Sequence, residues 1–205
     1  MKVLLLNGSP HREGNTATAL NQIAEQLSQW GVASELVWIG TKLVRGCIDC
    51  CKCRELHLGQ CIFDDDICNV IIRKLNDADG LIVGSPVYYG APTGAVLSLL
   101  QRIFFSGAKV EGKPAAAVTI CRRGGATSAF QTLQMPFQMV NMPIVTSQYW
   151  NIAYGCSPAE VARDDEGMQT LRTLADNMAW LLRKIHTGEG DLPEREPWTR
   201  TNFIR

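Results

Sequence analysis

Short apolar runs alternate along this chain with longer stretches in which apolar positions recur at helical spacing. The runs are Val3 to Leu6, Glu35 to Ile39, Leu81 to Val83, Ala115 to Ile120 and Ile144 to Thr146, which predicts five strands. Between them, Leu20, Ile23, Ala24, Leu27 and Trp30 fall on one face of a 3.6-residue period, and so do Ile67, Val70, Ile71 and Leu75. Both patterns predict amphipathic helices covering a sheet. A third helix, about 93–105, is apolar over much of its circumference through Val96, Leu97, Leu99, Leu100, Ile103 and Phe104. That pattern fits a subunit interface and deep burial within one chain equally well. A fourth helix is expected within 128–140, with Pro136 arguing for a break or kink. A fifth, about 166–185, aligns Met168, Leu171, Ala175, Met178, Leu182 and Ile185.

Strand and helix in alternation predict βαβ units and an α/β, doubly wound parallel sheet with helices on both faces. A chain of 205 residues, 46% hydrophobic and 20% charged, suits one domain with one large core. We place that domain at 1–187, including a cysteine-rich loop at 41–63. The polar residues 188–205, with isolated Trp198, Phe203 and Ile204, are expected to form a loose tail. Twenty basic and twenty acidic side chains cancel, so no basic field favours nucleic acid or an anionic membrane. Val3 to Leu6 is too short for a signal peptide or a membrane span, and a cytoplasmic location is expected.

The first strand runs into Asn7-Gly8-Ser9-Pro10-His11-Arg12-Glu13-Gly14-Asn15-Thr16, and a helix follows. There Asn15 or Thr16 would cap the helix while the free N–H groups of its first turn face an anion. Ser9, Thr16, Asn15 and Arg12 add side-chain donors. Neither G-x-x-x-x-G-K-[ST] nor G-x-G-x-x-G is present, which argues against triphosphate hydrolysis and dinucleotide binding of the usual kinds.

The third strand runs into Gly84-Ser85-Pro86-Val87-Tyr88-Tyr89-Gly90-Ala91-Pro92, and the fourth into Cys121-Arg122-Arg123-Gly124-Gly125. In a sheet of order 2-1-3-4-5 these loops and the first turn share one edge, at the switch point where ligands bind. Aromatic faces and restrained backbone suit a flat ring system, glycines permit close approach, and an arginine would stabilise an anionic ring.

Eight cysteines are present, and Cys47, Cys50, Cys51, Cys53 and Cys61 fall within one fifteen-residue window. Even spreading would put roughly 0.6 there on this usage. The spacing Cys47-x2-Cys50-x2-Cys53 with Cys61 following suits a [4Fe-4S] cluster, as in ferredoxin runs, more than the paired knuckles of structural zinc. A zinc ion or a metal-free loop shaping the active site remain the other readings. Cys68, Cys121 and Cys156 are read as packing or loop residues.

Taken together, these segments resemble the flavodoxin-like NAD(P)H-dependent FMN reductases, in particular the iron-sulfur flavoprotein branch. The resemblance rests on Gly8-Ser9-Pro10 through Asn15-Thr16, the cysteine loop followed by Asp64-Asp65-Asp66, Ser85-Pro86-Val87-Tyr88-Tyr89-Gly90, and Asp165-Glu166-Gly167 opening the last helix. It implies FMN, with its phosphate on Ser9, Arg12, Asn15, Thr16 and Ala17. The ring would lie against Pro86, Val87, Tyr88, Tyr89 and Gly90, and against Arg122, Gly124 and Gly125. It also implies a [4Fe-4S] cluster on Cys47, Cys50, Cys53 and Cys61, with Cys51 a bystander, and a homodimer or homotetramer. Ala126-Thr127 after the glycines depart from the Gly-Gly-Gln-Glu-like form associated with relatives.

The expected function is that of an FMN-dependent oxidoreductase. Electrons from NAD(P)H or a ferredoxin-like donor would pass through flavin and cluster to a small-molecule or electron-carrier partner, with no side chain acting as acid, base or nucleophile. Two alternatives stand beside it: a cluster-free NAD(P)H-dependent quinone or FMN reductase, and a non-enzymatic electron carrier or binding module.

Overall fold

A computed structural model describes residues 1–188 together with 192, 193 and 197, so the predicted tail lies largely outside the described residues. Five parallel strands, β1 (Lys2–Asn7), β2 (Ala33–Trp38), β3 (Gly80–Pro86), β4 (Ala115–Cys121) and β5 (Ile152–Tyr154), form one sheet of order β2-β1-β3-β4-β5. Order and direction match the doubly wound arrangement expected from the alternating pattern. Among the described residues, five helices lie in the connections between strands, α1 (Asn15–Gln29), α2 (Lys52–Glu55), α3 (Cys68–Asn76), α4 (Gly94–Phe105) and α5 (Ala126–Met139), and two follow β5, α6 (Pro158–Val161) and α7 (Asp165–Thr187).

Successive strand residues point to opposite faces, so β1, β3 and β4 are buried nearly throughout because both faces are covered, whereas the edge strand β2 carries Ser34 and Glu35 and is at most half-buried. Leu4 and Leu6 of β1 pack with Ile71, Ile72, Val96, Leu99 and Phe137 from α3, α4 and α5. Val3 and Leu5 pack with Leu20, Ile23 and Leu27 of α1 and Leu171, Leu174 and Met178 of α7. Each fully buried leucine in these layers contributes about 1.5–3 kcal/mol.

Three expectations are corrected. The fifth strand is Ile152–Tyr154, not Ile144 to Thr146; Ile144 makes only an isolated bridge to Ala115. The chain enters the sheet edge there, leaves it, and returns after Asn151, whose side-chain amide donates to Ala117 O at 3.1 Å and fills the gap in the ladder. Hydrophobicity alone does not register this excursion, because Ile144 and Val145 are apolar without being paired along a strand. Second, α5 continues through Pro136 without ending. Third, α1 is capped by Gly14, with no side-chain cap bond, and Asn15 is its first residue. No described helix is long and apolar enough to cross a membrane.

Candidate functional site: a switch-point crevice and a thiol-lined cavity

The turn after β1 is wound around the fully buried Asn7. Its Oδ1 accepts from Ser9 N at 3.0 Å, and its Nδ2 donates to His11 O and Arg12 O at 3.3 and 3.2 Å. Ser9 Oγ accepts from His11 N, and Trp38 Nε1 on β2 donates to Ser9 O at 2.9 Å. The β3 side locks the turn from below. Gly8 N donates to Gly84 O at 2.8 Å, Thr93 Oγ1 donates to Gly8 O at 2.7 Å, and Thr93 N donates to Ser85 Oγ. A side chain at Gly8 would collide with Gly84 O and Val96, so glycine there is a steric requirement. Asn7, Ser85 and Thr93 are positioning residues that sequence reasoning did not single out; Asn7 and Ser85 act on partners within eight positions, and only the Thr93 bond to Gly8 spans 85.

Above this platform the first N–H groups of α1, on Asn15, Thr16 and Ala17, have no intrahelical acceptor. Thr16 is 1% exposed, and its Oγ1 is the one buried side-chain polar atom without a partner among the described residues. A buried hydroxyl left unsatisfied costs about 1–3 kcal/mol. Its position beside free amides fits a phosphate ligand, which accepts from both. Arg12 lies exposed at the rim. The Asn15 amide, read as a ligand donor, instead donates to Gly155 O at 3.0 Å and ties α1 to the segment after β5.

The two ring loops meet each other. Tyr88 and Ala91 exchange backbone bonds of 2.8 and 3.0 Å around a two-residue tip in which Tyr89 (φ +52°) and Gly90 (φ +78°) are both left-handed. Such a conformation costs a non-glycine residue about 1–2 kcal/mol. Tyr89 accepts it with its ring fully in solvent, and Tyr88 is nearly half exposed. Against this tip sits Gly125, at φ +83°, so close that an added Cβ would lie 2.8 Å from Gly90 Cα and 3.2 Å from Val87 Cγ1. Pro86 and Val87 are half-buried at the base, whereas Arg122 and Gly124 are exposed. Gly125→Ala is expected to destabilise the protein by about 1–2 kcal/mol and to part the two loops. Thermal denaturation and quenching of added flavin fluorescence check the two effects.

The cysteine loop leaves the same sheet edge but descends along α4. Gly46 packs beside Ser98 and Gln101. Cys47, Cys50, Cys51, Cys53 and Cys61 then line one cavity with Arg102, Phe105 and Ser106, at the far end of that helix. Two fully buried side chains staple the loop. Asn69 on α3 holds Cys61 N and O, Phe63 O and Asp64. Arg102 on α4, 2% exposed, pairs with the buried Asp66 and donates to Phe63 O at 3.0 Å, Arg45 O at 3.4 Å and Cys61 Sγ at 3.3 Å. The apolar helix thus buries Val96, Leu99, Leu100 and Ile103 within its own chain, with an arginine on the same covered side, while Leu97 and Phe104 are half-buried. An arginine between Leu100 and Ile103 was the available signal, and it went unread.

Three non-glycine residues of this loop, Asp49, Cys51 and His57, are left-handed. Burial raises the Cys53 thiol, which also donates to Phe105 O at 3.9 Å. Among the described residues no three thiol, imidazole or carboxylate side chains converge tightly enough for one metal ion; the thiols ring the cavity wall instead. Cys68 and Cys121 are buried, and burial pushes the Cys68 thiol up to about 12, in keeping with packing roles. Cys156 is exposed.

A five-stranded 2-1-3-4-5 sheet with a phosphate-ready turn and two touching loops at its switch point defines a flavodoxin-like protein. Its backbone superposes on RosB bound to 8-demethyl-8-formylriboflavin-5'-phosphate with a TM-score of 0.72 at 16% identity, over 100% of this chain and 94% of that one. An iron-sulfur flavoprotein of Methanocaldococcus jannaschii is 30% identical over 194 residues, covering 90% of this chain and 99% of the relative. An iron-sulfur flavoprotein of Archaeoglobus fulgidus is likewise 30% identical, over 90% and 92% of the two chains. Residues 1–156 match the NADPH-dependent FMN reductase family, and the chain belongs to it. It is an FMN-dependent oxidoreductase.

Proposed function

We propose that this oxidoreductase carries a [4Fe-4S] cluster on Cys47, Cys50, Cys53 and Cys61 beside its FMN. It would take electrons from NAD(P)H or a ferredoxin-like donor and deliver them to a small-molecule or protein acceptor. The observation that carries the cluster reading is the ring of thiols around one cavity next to the buried Arg102. Thiols spread around a wall suit a multi-iron core with a thiolate at each corner better than a single ion. The names of the curated relatives point the same way.

When bound, FMN supplies two-electron acceptance and one-electron release, and a cluster supplies one-electron transfer. The chain's own residues bind and orient. Thr16 Oγ1, Ser9, Arg12 and the amides of Asn15, Thr16 and Ala17 are assigned to the phosphate. Pro86 to Gly90, Arg122, Gly124 and Gly125 are assigned to the ring, with Tyr88 and Tyr89 free to stack on an arriving substrate.

Twelve residues of α4 separate the Thr93 platform from the thiol cavity, roughly 18 Å at 1.5 Å per residue. That separation supports a homodimer or homotetramer in which one chain's cysteine loop lies near the crevice of another.

Iron and acid-labile sulfide analysis of anaerobically purified protein tests the cluster, with about four irons per chain expected. An iron-free flavoprotein that NADPH bleaches would point to the cluster-free reductase. Iron-loaded protein whose flavin neither NADH nor NADPH bleaches would point to a carrier reduced by another protein.

A further inference from the structure

Resting on the cluster reading above, we propose that Arg102 is a positioning residue that raises the reduction potential of the cysteine-loop site through its Nε–H···Sγ bond to Cys61. The geometry separates this side chain from an ordinary structural arginine. Its Nη atoms are occupied by Asp66, Arg45 O and Phe63 O, which fixes the guanidinium plane. The remaining Nε–H is thereby aimed at the Cys61 sulfur at 3.3 Å. Arg102 is 2% exposed, so water screens neither the bond nor the charge.

The arrangement places a fixed donor and a positive charge against one sulfur of the four-thiolate set. Addition of one electron makes that set more negative, and both features then stabilise it more. Net charge and hydrogen bonds to the sulfurs are established determinants of such potentials. Asp66 offsets part of the charge, which leaves the directional bond as the distinctive contribution. No side chain among the described residues donates to Cys47, Cys50 or Cys53, and Cys53 is met by the backbone N–H groups of Cys53 and Arg54. The thiolate set is therefore asymmetric, with Cys61 the corner that faces a buried, positively charged donor.

The test uses the full chain, isolated anaerobically, in three forms: wild type, Arg102→Lys and Arg102→Gln. Iron content is measured first, and the midpoint potential follows by redox titration monitored by electron paramagnetic resonance. Lysine keeps the charge and the Asp66 pairing but loses the Nε–H bond; glutamine loses both charge and fork. The expected order of potentials is wild type above Arg102→Lys above Arg102→Gln. Glutamine should shift the one-electron equilibrium by about tenfold, which is about 59 mV.

A structural role alone would lower iron content without moving the potential of the clusters that remain. Should neither variant hold iron, resonance Raman of the wild type decides. Transfer to D2O is expected to shift an iron–cysteine stretching band, and an unmoved spectrum overturns the inference. Unchanged potentials in iron-loaded variants overturn it too, while leaving the cluster reading intact. A wild-type chain that takes up no iron under reconstitution overturns both.

Discussion

Thr16→Val is expected to make the FMN-free protein more stable and, at the same time, to bind FMN more weakly. The hydroxyl is buried and has no partner among the described residues, so its removal relieves a desolvation penalty of about 1–3 kcal/mol. Valine keeps the methyl group that packs over Gly84 and the same β-branched shape, so neither packing nor helix propensity changes much. A hydrogen bond to a charged phosphate contributes about 1.5–3 kcal/mol, so its loss weakens binding roughly 10- to 150-fold. Urea denaturation of stripped protein and fluorescence titration with FMN read the two effects. Opposite signs are the signature of a ligand-directed hydroxyl. If stability falls along with affinity, Thr16 is structural and the phosphate assignment is wrong.

Arg102→Met is expected to cost about 3–5 kcal/mol, because it strands the buried Asp66 carboxylate without its counter-charge. Phe63 O and Arg45 O lose a donor in the same step. The damage should concentrate in the cysteine loop, which Arg102 holds to α4, while the sheet keeps its own ladder. Limited proteolysis within 41–63 should therefore accelerate more than cleavage elsewhere. Adding Asp66→Leu removes the stranded charge and should restore part of the loss. The recovery is incomplete because Asp66 Oδ1 also accepts from Cys68 N at 2.9 Å. A loss below about 1 kcal/mol in the single variant would match an exposed ion pair and contradict the buried staple.

Local chemistry made much of this protein legible before any coordinates. The apolar runs at Val3 to Leu6, Leu81 to Val83 and Ala115 to Ile120 fall within β1, β3 and β4, because a strand covered on both faces must be apolar without alternation. Asp164, one residue before the predicted opening of α7, was missed as its cap. It accepts from Gly167 N and from Tyr154 N, and so joins the last helix to β5. Gly167 follows from the same contact, since a side chain there would strike Asp164 and Ala153. The cap is a local motif, but its second bond spans the fold.

What the sequence alone determined was periodicity, element order, the composition of the turn after β1 and the crowding of thiols. All of these depend on neighbours within a few residues. Tertiary structure decided which polar side chains are used up and which are left over. Asn15 is taken by Gly155 and Arg102 by Asp66 and Cys61, whereas Thr16 Oγ1 is left without a partner among the described residues. It also set the fifth strand at Ile152–Tyr154 and brought Gly125 against Gly90. The physical reason is that hydrogen-bond satisfaction is a property of the whole buried environment. Whether a hydroxyl or guanidinium is spent on the fold or available to a ligand depends on partners brought close only by packing.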